Sequence, residues 1–295
     1  MPYKSYATLT ELKNFSTNTV TTNDVDLLRI LEDASDEIDN LCFRHFNTWE
    51  GVQYFDGADQ VFMPDEDILS ITTIQLDIDG SGSYATTLDP ANDYLVYPMG
   101  GPVLYPKNML KTTIRSSVGF FASGIRAGIK ITGVFGYGNG LSATPYYDCG
   151  LTGTAASTST TTLTISAEGT IQAGHTLRID TEQMYVQAVS TGGTKTATVV
   201  RGVNGTVAAT HSTKEIYIYQ YPGPVVEATI LLANRDWKRK ESPVQATVGS
   251  AEMGMLIMSI SFWMYTIGVA LLRLQCIIAE REREIIWMNE AQRSE

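Results

Sequence analysis

The sequence predicts an α+β protein: a helical and antiparallel-sheet core domain, a small all-β domain (sandwich or barrel) inserted into it, and a C-terminal helical or extended arm. Three observations point there. Apolar residues recur at helical spacing in two segments, 22–45 and 222–241, while short β-prone runs broken by Gly and Pro fill the residues between them. The charge is also unevenly placed. The 295-residue chain has a formal net charge of −11, but residues 1–149 carry −10, residues 150–220 are neutral and residues 221–295 carry −1. The domains expected from these shifts are 1–149 with 221–252 as one discontinuous core, 150–220 as the insert, and 253–295 as the arm. Hydrophobic residues make up 43 % of the chain, enough for a sizeable core.

The first helix pattern covers residues 22–45. Thr22 or Asn23 is placed to cap it, and Asp24 and Asp26 fall in the first turn, where the helix dipole favours anions. Leu27, Leu28, Leu31, Ala34, Ile38 and Leu41 form its apolar stripe. The opposite face carries Glu32, Asp33, Asp36, Glu37 and Asp39 and reads as a solvated surface. From 50 to 135 the pattern changes to strands and turns, with runs at 61–63, 68–79, 93–97 and 129–135, the last ending in the breaker Gly136-Tyr-Gly-Asn-Gly140.

Residues 150–220 hold about half of the chain's threonines. Strands are expected at 161–165, 176–179, 183–189, 196–200 and 215–219. Residues 150–160 read as an entry linker, and Val203-Asn-Gly-Thr206 as a hairpin turn. Pro222 and Pro224 then open a second helix to about Glu241, with Arg235, Lys238, Arg239 and Lys240 near its C-terminal end. Beyond it, Met253–Leu272 runs for twenty residues without a charge. That length could span a bilayer. An arm buried in an oligomer is the preferred reading, because nothing else in the chain is built for a membrane.

The acidic balance argues against a protein that coats nucleic acid with a basic face. Cys42, Cys149 and Cys276 form no C-x-x-C pair, and His45, His175 and His211 lie in separate segments without metal-ligand spacing. No catalytic motif is present, and neither an enzyme activity nor a cofactor is expected. Asp77-Ile-Asp79-Gly-Ser81-Gly82 mimics the start of a calcium loop, but its twelfth position is Leu88, so a polar hairpin turn is expected.

Several segments, in order, resemble the head–tail connector (head-completion adaptor) proteins of tailed bacteriophages. They are Tyr6-Ala-Thr-Leu-Thr-Glu-Leu12, residues 26–39, Leu69-Ser-Ile-Thr-Thr-Ile74 with 77–84, Asp93-Tyr-Leu-Val-Tyr-Pro98, 129–137, and 221–229 through Trp237-Lys-Arg-Lys240. The insert is similar to small β-modules of phage structural proteins at 177–186 and 199–206. Each motif is structural, and their order carries the resemblance across most of residues 5–252. The resemblance implies a homo-oligomeric ring, typically dodecameric, at the virion head–tail junction after assembly in the host cytoplasm. Such a ring docks beneath the portal protein, extends the DNA channel and presents a surface to the neck or tail-completion protein.

On that reading Glu32, Asp33, Asp36, Glu37 and Asp39 are candidate channel-lining residues past which double-stranded DNA slides without specific binding. Met255, Leu256, Ile257, Phe262, Trp263, Tyr265, Ile267, Leu271 and Leu274 are the candidate oligomer or portal interface. The apolar run departs from the short polar segment usual in the family. Two alternatives remain: a virion surface or carbohydrate-binding protein using the β insert, and a membrane-anchored protein using 253–272. Exposed aromatics on the insert would favour the first, although Tyr185, Tyr217 and Tyr219 fall in strand runs and read as core.

Overall fold

The computed structural model describes residues 3–17, 21–99, 106–167, 169–190 and 192–241. The first helix, α1 (Leu9–Ser16), starts on a capping box. The Thr8 hydroxyl accepts from the Glu11 amide at 3.2 Å, and the Glu11 carboxylate accepts from the Thr8 amide at 2.7 Å. The second, α2 (Asp24–Cys42), stops at Phe43, whose φ of 50° leaves the helical region, three residues short of the expected end. Asn23 occupies the N-cap position, but its side chain makes no capping bond. The third, α3 (Gly223–Glu241), packs on both others. Leu12, Leu27, Leu31, Ala34 and Ile38 meet Val225, Leu232, Ala233 and Trp237 in one core. The two ends of the described chain therefore close a single helical layer.

Between them lie two antiparallel sheets. Strands β1 (Trp49–Phe55), β2 (Val61–Phe62), β3 (Ile68–Leu76), β4 (Thr86–Thr87), β5 (Tyr94–Tyr97), β6 (Met109–Thr112) and β7 (Ile129–Phe135) pair in the orders β1-β7-β3-β4 and β2-β6-β5. Alternate residues Ile129, Ile131 and Phe135 of β7 point into a shared core with Phe62, Ile74, Leu110 and Phe121. Strand β3 ends at Leu76 rather than Asp79 because the Asp77 carboxylate turns the chain. Its oxygens accept from the amides of Gly80, Ser81 and Gly82 at 2.9, 3.2 and 2.8 Å. This is the polar hairpin turn expected in place of a calcium loop.

The inserted unit is a closed six-stranded barrel. Strands β8 (Tyr146–Ala155), β9 (Thr162–Ile165), β10 (Thr176–Ile179), β11 (Glu182–Val189), β12 (Thr196–Val200) and β13 (His211–Tyr219) follow the order β10-β11-β12-β9-β8-β13. Leu163, Leu177, Ile179, Met184, Val199, Ile216 and Ile218 fill its interior. Two expectations are corrected here. Most of the 150–160 linker belongs to β8, which begins at Tyr146 and carries its glycines within a strand. The Asn204-Gly205 step does form a tight turn, with φ of 53° and 76° and a Thr206 amide to Val203 carbonyl bond of 3.2 Å. It joins no hairpin, because β13 pairs with β10 and β8 rather than with β12.

The barrel docks on the helical layer. Leu28 of α2 packs with Tyr185 and Val203, and the Leu9 amide donates to the Ala173 carbonyl at 3.0 Å. The Gln183 side-chain amide donates to the Thr48 carbonyl at 3.1 Å. Tyr185 is buried as expected, but between barrel and helix rather than in the barrel core. Tyr219 is buried too, whereas Tyr217 is partly exposed.

Candidate functional site

The acidic face of α2 is the candidate site, and the structure divides it. Asp39 leaves the solvated surface altogether: it is 5 % exposed and surrounded by donors. The Lys4 ammonium donates to it, the Tyr6 hydroxyl donates at 2.6 Å, and His45 Nδ1 donates at 3.1 Å. Lys4 also reaches Asp36 at 2.8 Å. The reason is topological. Residues 3–7 run across the C-terminal half of α2, so the side that a helical wheel assigns to solvent is partly covered by the chain's own start.

The remaining carboxylates keep varying degrees of exposure. Asp33 is exposed, and Glu32, Asp36 and Glu37 are intermediate. Arg235 of α3 approaches Glu37 at 3.5 Å, so one of the cations placed at the end of the last helix neutralises part of this face. Glu32 lies beside the buried Tyr185, and burial pushes its carboxyl up from the ordinary range.

The electrostatics around Asp39 follow from its burial. Burial opposes the Lys4 charge, but Asp39 and Asp36 outweigh it and hold the ammonium above its usual range. Burial and then the Asp39 charge push the Tyr6 phenol up. The hydrogen bond to Asp39 raises His45, and the charges of Asp39 and Glu66 add to that against partial burial. Glu66, 3.7 Å from His45 Nε2, also accepts from Trp49 Nε1 at 3.1 Å and from Gln53 Nε2 at 2.7 Å. Lys4, Tyr6, His45 and Glu66 are thus the residues that sequence reading missed. Lys4 is 35 positions from Asp39, and no local pattern links them.

Chemically, the cluster is a clamp tying the N-terminal segment to α2. What it leaves outward is a stripe of Asp33, Glu32, Asp36 and Glu37. Such a surface repels phosphate rather than binding it. Among the described residues no group of three or more His, Cys, Asp or Glu side chains is placed to hold a metal ion. Among the same residues no helix is long and apolar enough to cross a membrane. The whole expected interface set, Met255, Leu256, Ile257, Phe262, Trp263, Tyr265, Ile267, Leu271 and Leu274, lies outside the described residues. Comparison of the chain with protein-family models, curated proteins and solved structures found no match.

Proposed function

We propose that the chain is a structural virion protein of the head–tail connector type. In this reading copies assemble into a ring at the head–tail junction, between the portal and the neck or tail-completion protein, and the ring extends the DNA channel. The observation that supports it best is the discontinuous helical layer. Helices α1 and α2 precede the sheets and barrel, and α3 follows them and packs back on both. This is the segment order on which the resemblance to connector proteins rests, with the barrel projecting from a helical base.

The channel assignment narrows accordingly. Asp39 serves the clamp, and the candidate lining becomes Asp33 with the half-exposed Glu32, Asp36 and Glu37. Net negative charge along that stripe would let DNA pass without adhering. The arm after α3 supplies contacts between subunits or with the portal.

Light scattering on the full chain and on a chain truncated before Met253 tests the reading. A ring-sized mass for the full chain that falls on truncation is the expected result. A single-chain mass for the full protein at every concentration contradicts it.

A further inference from the structure

We propose that the outer wall of the barrel carries a binding site for a neutral saccharide. An open cleft of about 550 Å³ is lined by Tyr146 of β8, Arg178 and Asp180 at the end of β10, and Lys214, Glu215 and Tyr217 of β13. Strand alternation sends Ile216 and Ile218 into the barrel core and turns Glu215 and Tyr217 outward. The β8–β13 pairing shifts register twice, between His211 and Lys214 and between Glu215 and Tyr217. Thr213, in the first of these irregularities, also lines the cleft and sits at φ 50°, a conformation that a β-branched residue rarely adopts. Bulges of this kind bend a strand and re-aim its side chains.

The lining is organised before any ligand arrives. The Arg178 guanidinium lies 4.6 Å over the Tyr146 ring, and its Nε donates to the Asp180 carbonyl at 2.9 Å. The Tyr217 hydroxyl donates to Glu215 at 2.9 Å. His211 Nδ1 lies 3.1 Å from the Asp180 carboxylate on the inner side of the wall, and Lys214 approaches Asp180 at 3.5 Å. Groups held in this way lose little freedom on binding.

Charge and shape select the ligand class. Two cations and two carboxylates line the cleft, so its local charge cancels within a chain of −11. It therefore favours neither an anion nor a cation. A carboxylate offers roughly four acceptor sites and an ammonium three donors, more than the bonds named above consume. Alternating donors and acceptors beside the partly exposed Tyr217 ring, which is held edge to face with Tyr146 at 5.6 Å, suit the hydroxyls and the C–H face of a pyranose. A peptide adding as a strand would need a free sheet edge, and the closed barrel has none.

Saturation-transfer NMR on the full chain provides the test, with the methyl β-glycosides of glucose, galactose and N-acetylglucosamine as millimolar probes. Transfer to at least one probe is expected. Its affinity should fall about tenfold or more in Tyr217→Ala and in Lys214→Met, and should hold in Val207→Ala, an exposed position outside the cleft. Because Tyr217 also packs on Tyr146, the half-exposed Lys214 decides the matter if Tyr217→Ala unfolds. Absence of transfer from the folded chain to all three probes overturns the proposal, as does transfer that survives both substitutions. The outcome does not depend on whether the chain forms rings.

Discussion

Glu182 and Arg201 are buried together in the barrel wall, at 0 % and 6 % side-chain exposure. The carboxylate accepts from Arg201 at 2.7 and 2.8 Å, from the Gly202 and Ala209 amides at 3.0 and 2.9 Å, and from His211 Nε2 at 2.9 Å. Burial alone would push this carboxyl up, but Arg201, Ala209 and His211 outweigh burial and hold it below the ordinary range. Its contribution to stability is therefore present above the unfolded value, about 4.3, and is lost as pH falls through the lower folded value. Glu182→Leu strands a buried guanidinium and should cost about 3–5 kcal/mol. Adding Arg201→Met should recover part of that, with a coupling of about 1–3 kcal/mol in urea unfolding; strict additivity would show that the pair is not coupled.

Two histidines titrate in opposite directions. The hydrogen bond to Asp39 raises His45, so its stabilising effect is full below the unfolded value and disappears as pH rises through the folded one. Burial pushes His175 down to about 4, and its Nδ1 accepts from the Gln172 amide at 3.1 Å. That ring stays neutral in the fold, so stability declines as pH falls from about 6.5 toward 4. Ring-proton NMR should show His45 titrating above, and His175 far below, the free-imidazole value. Two midpoints near 6.5 would contradict both assignments.

At the scale of elements, local pattern and pairing carry different information. Strands β7, β10 and β12 begin and end where the sequence places them, because β-branched runs bounded by turn residues suffice to mark a strand. Helix α3 also follows its proline signal closely. The eight-residue α1 is too short for an apolar stripe, although Thr8 and Glu11 hold the spacing of a capping box. Strand β8 was hidden by Gly150 and Gly153, and the partner of β13 by barrel closure, which joins strands far apart in the chain. Gly133 in the central strand β7 shows the cost of close pairing. A Cβ there would meet the Ser70 carbonyl oxygen at 2.2 Å, so Gly133→Ala must force β3 and β7 apart. Gly80, at φ 72° with open space around it, faces only a conformational penalty. Thermal unfolding should show Gly133→Ala losing about 2–3 kcal/mol and Gly80→Ala about 1 kcal/mol. The reverse order would contradict the register assigned to this sheet.

For the whole molecule, the mixed α+β class with antiparallel sheets and an all-β unit was legible in the helical periodicity of two segments and the β-prone runs between them. The candidate site was legible only in part. A helical wheel places Asp39 beside Asp36, but it cannot show that Lys4, Tyr6 and His45 converge on it from elsewhere in the chain. The barrel cleft was not legible, because residues from three separate strands meet there only after closure. The proposed connector role rests on assembly. The acidic stripe gains meaning only when copies surround a common axis, since one copy of Asp33 beside half-exposed neighbours makes a weak field that salt screens within about 10 Å. Electron microscopy of the purified full chain tests this most directly. Closed rings with a central opening wide enough for duplex DNA are expected, and a uniform field of single 32.3 kDa particles at all concentrations would contradict the connector proposal.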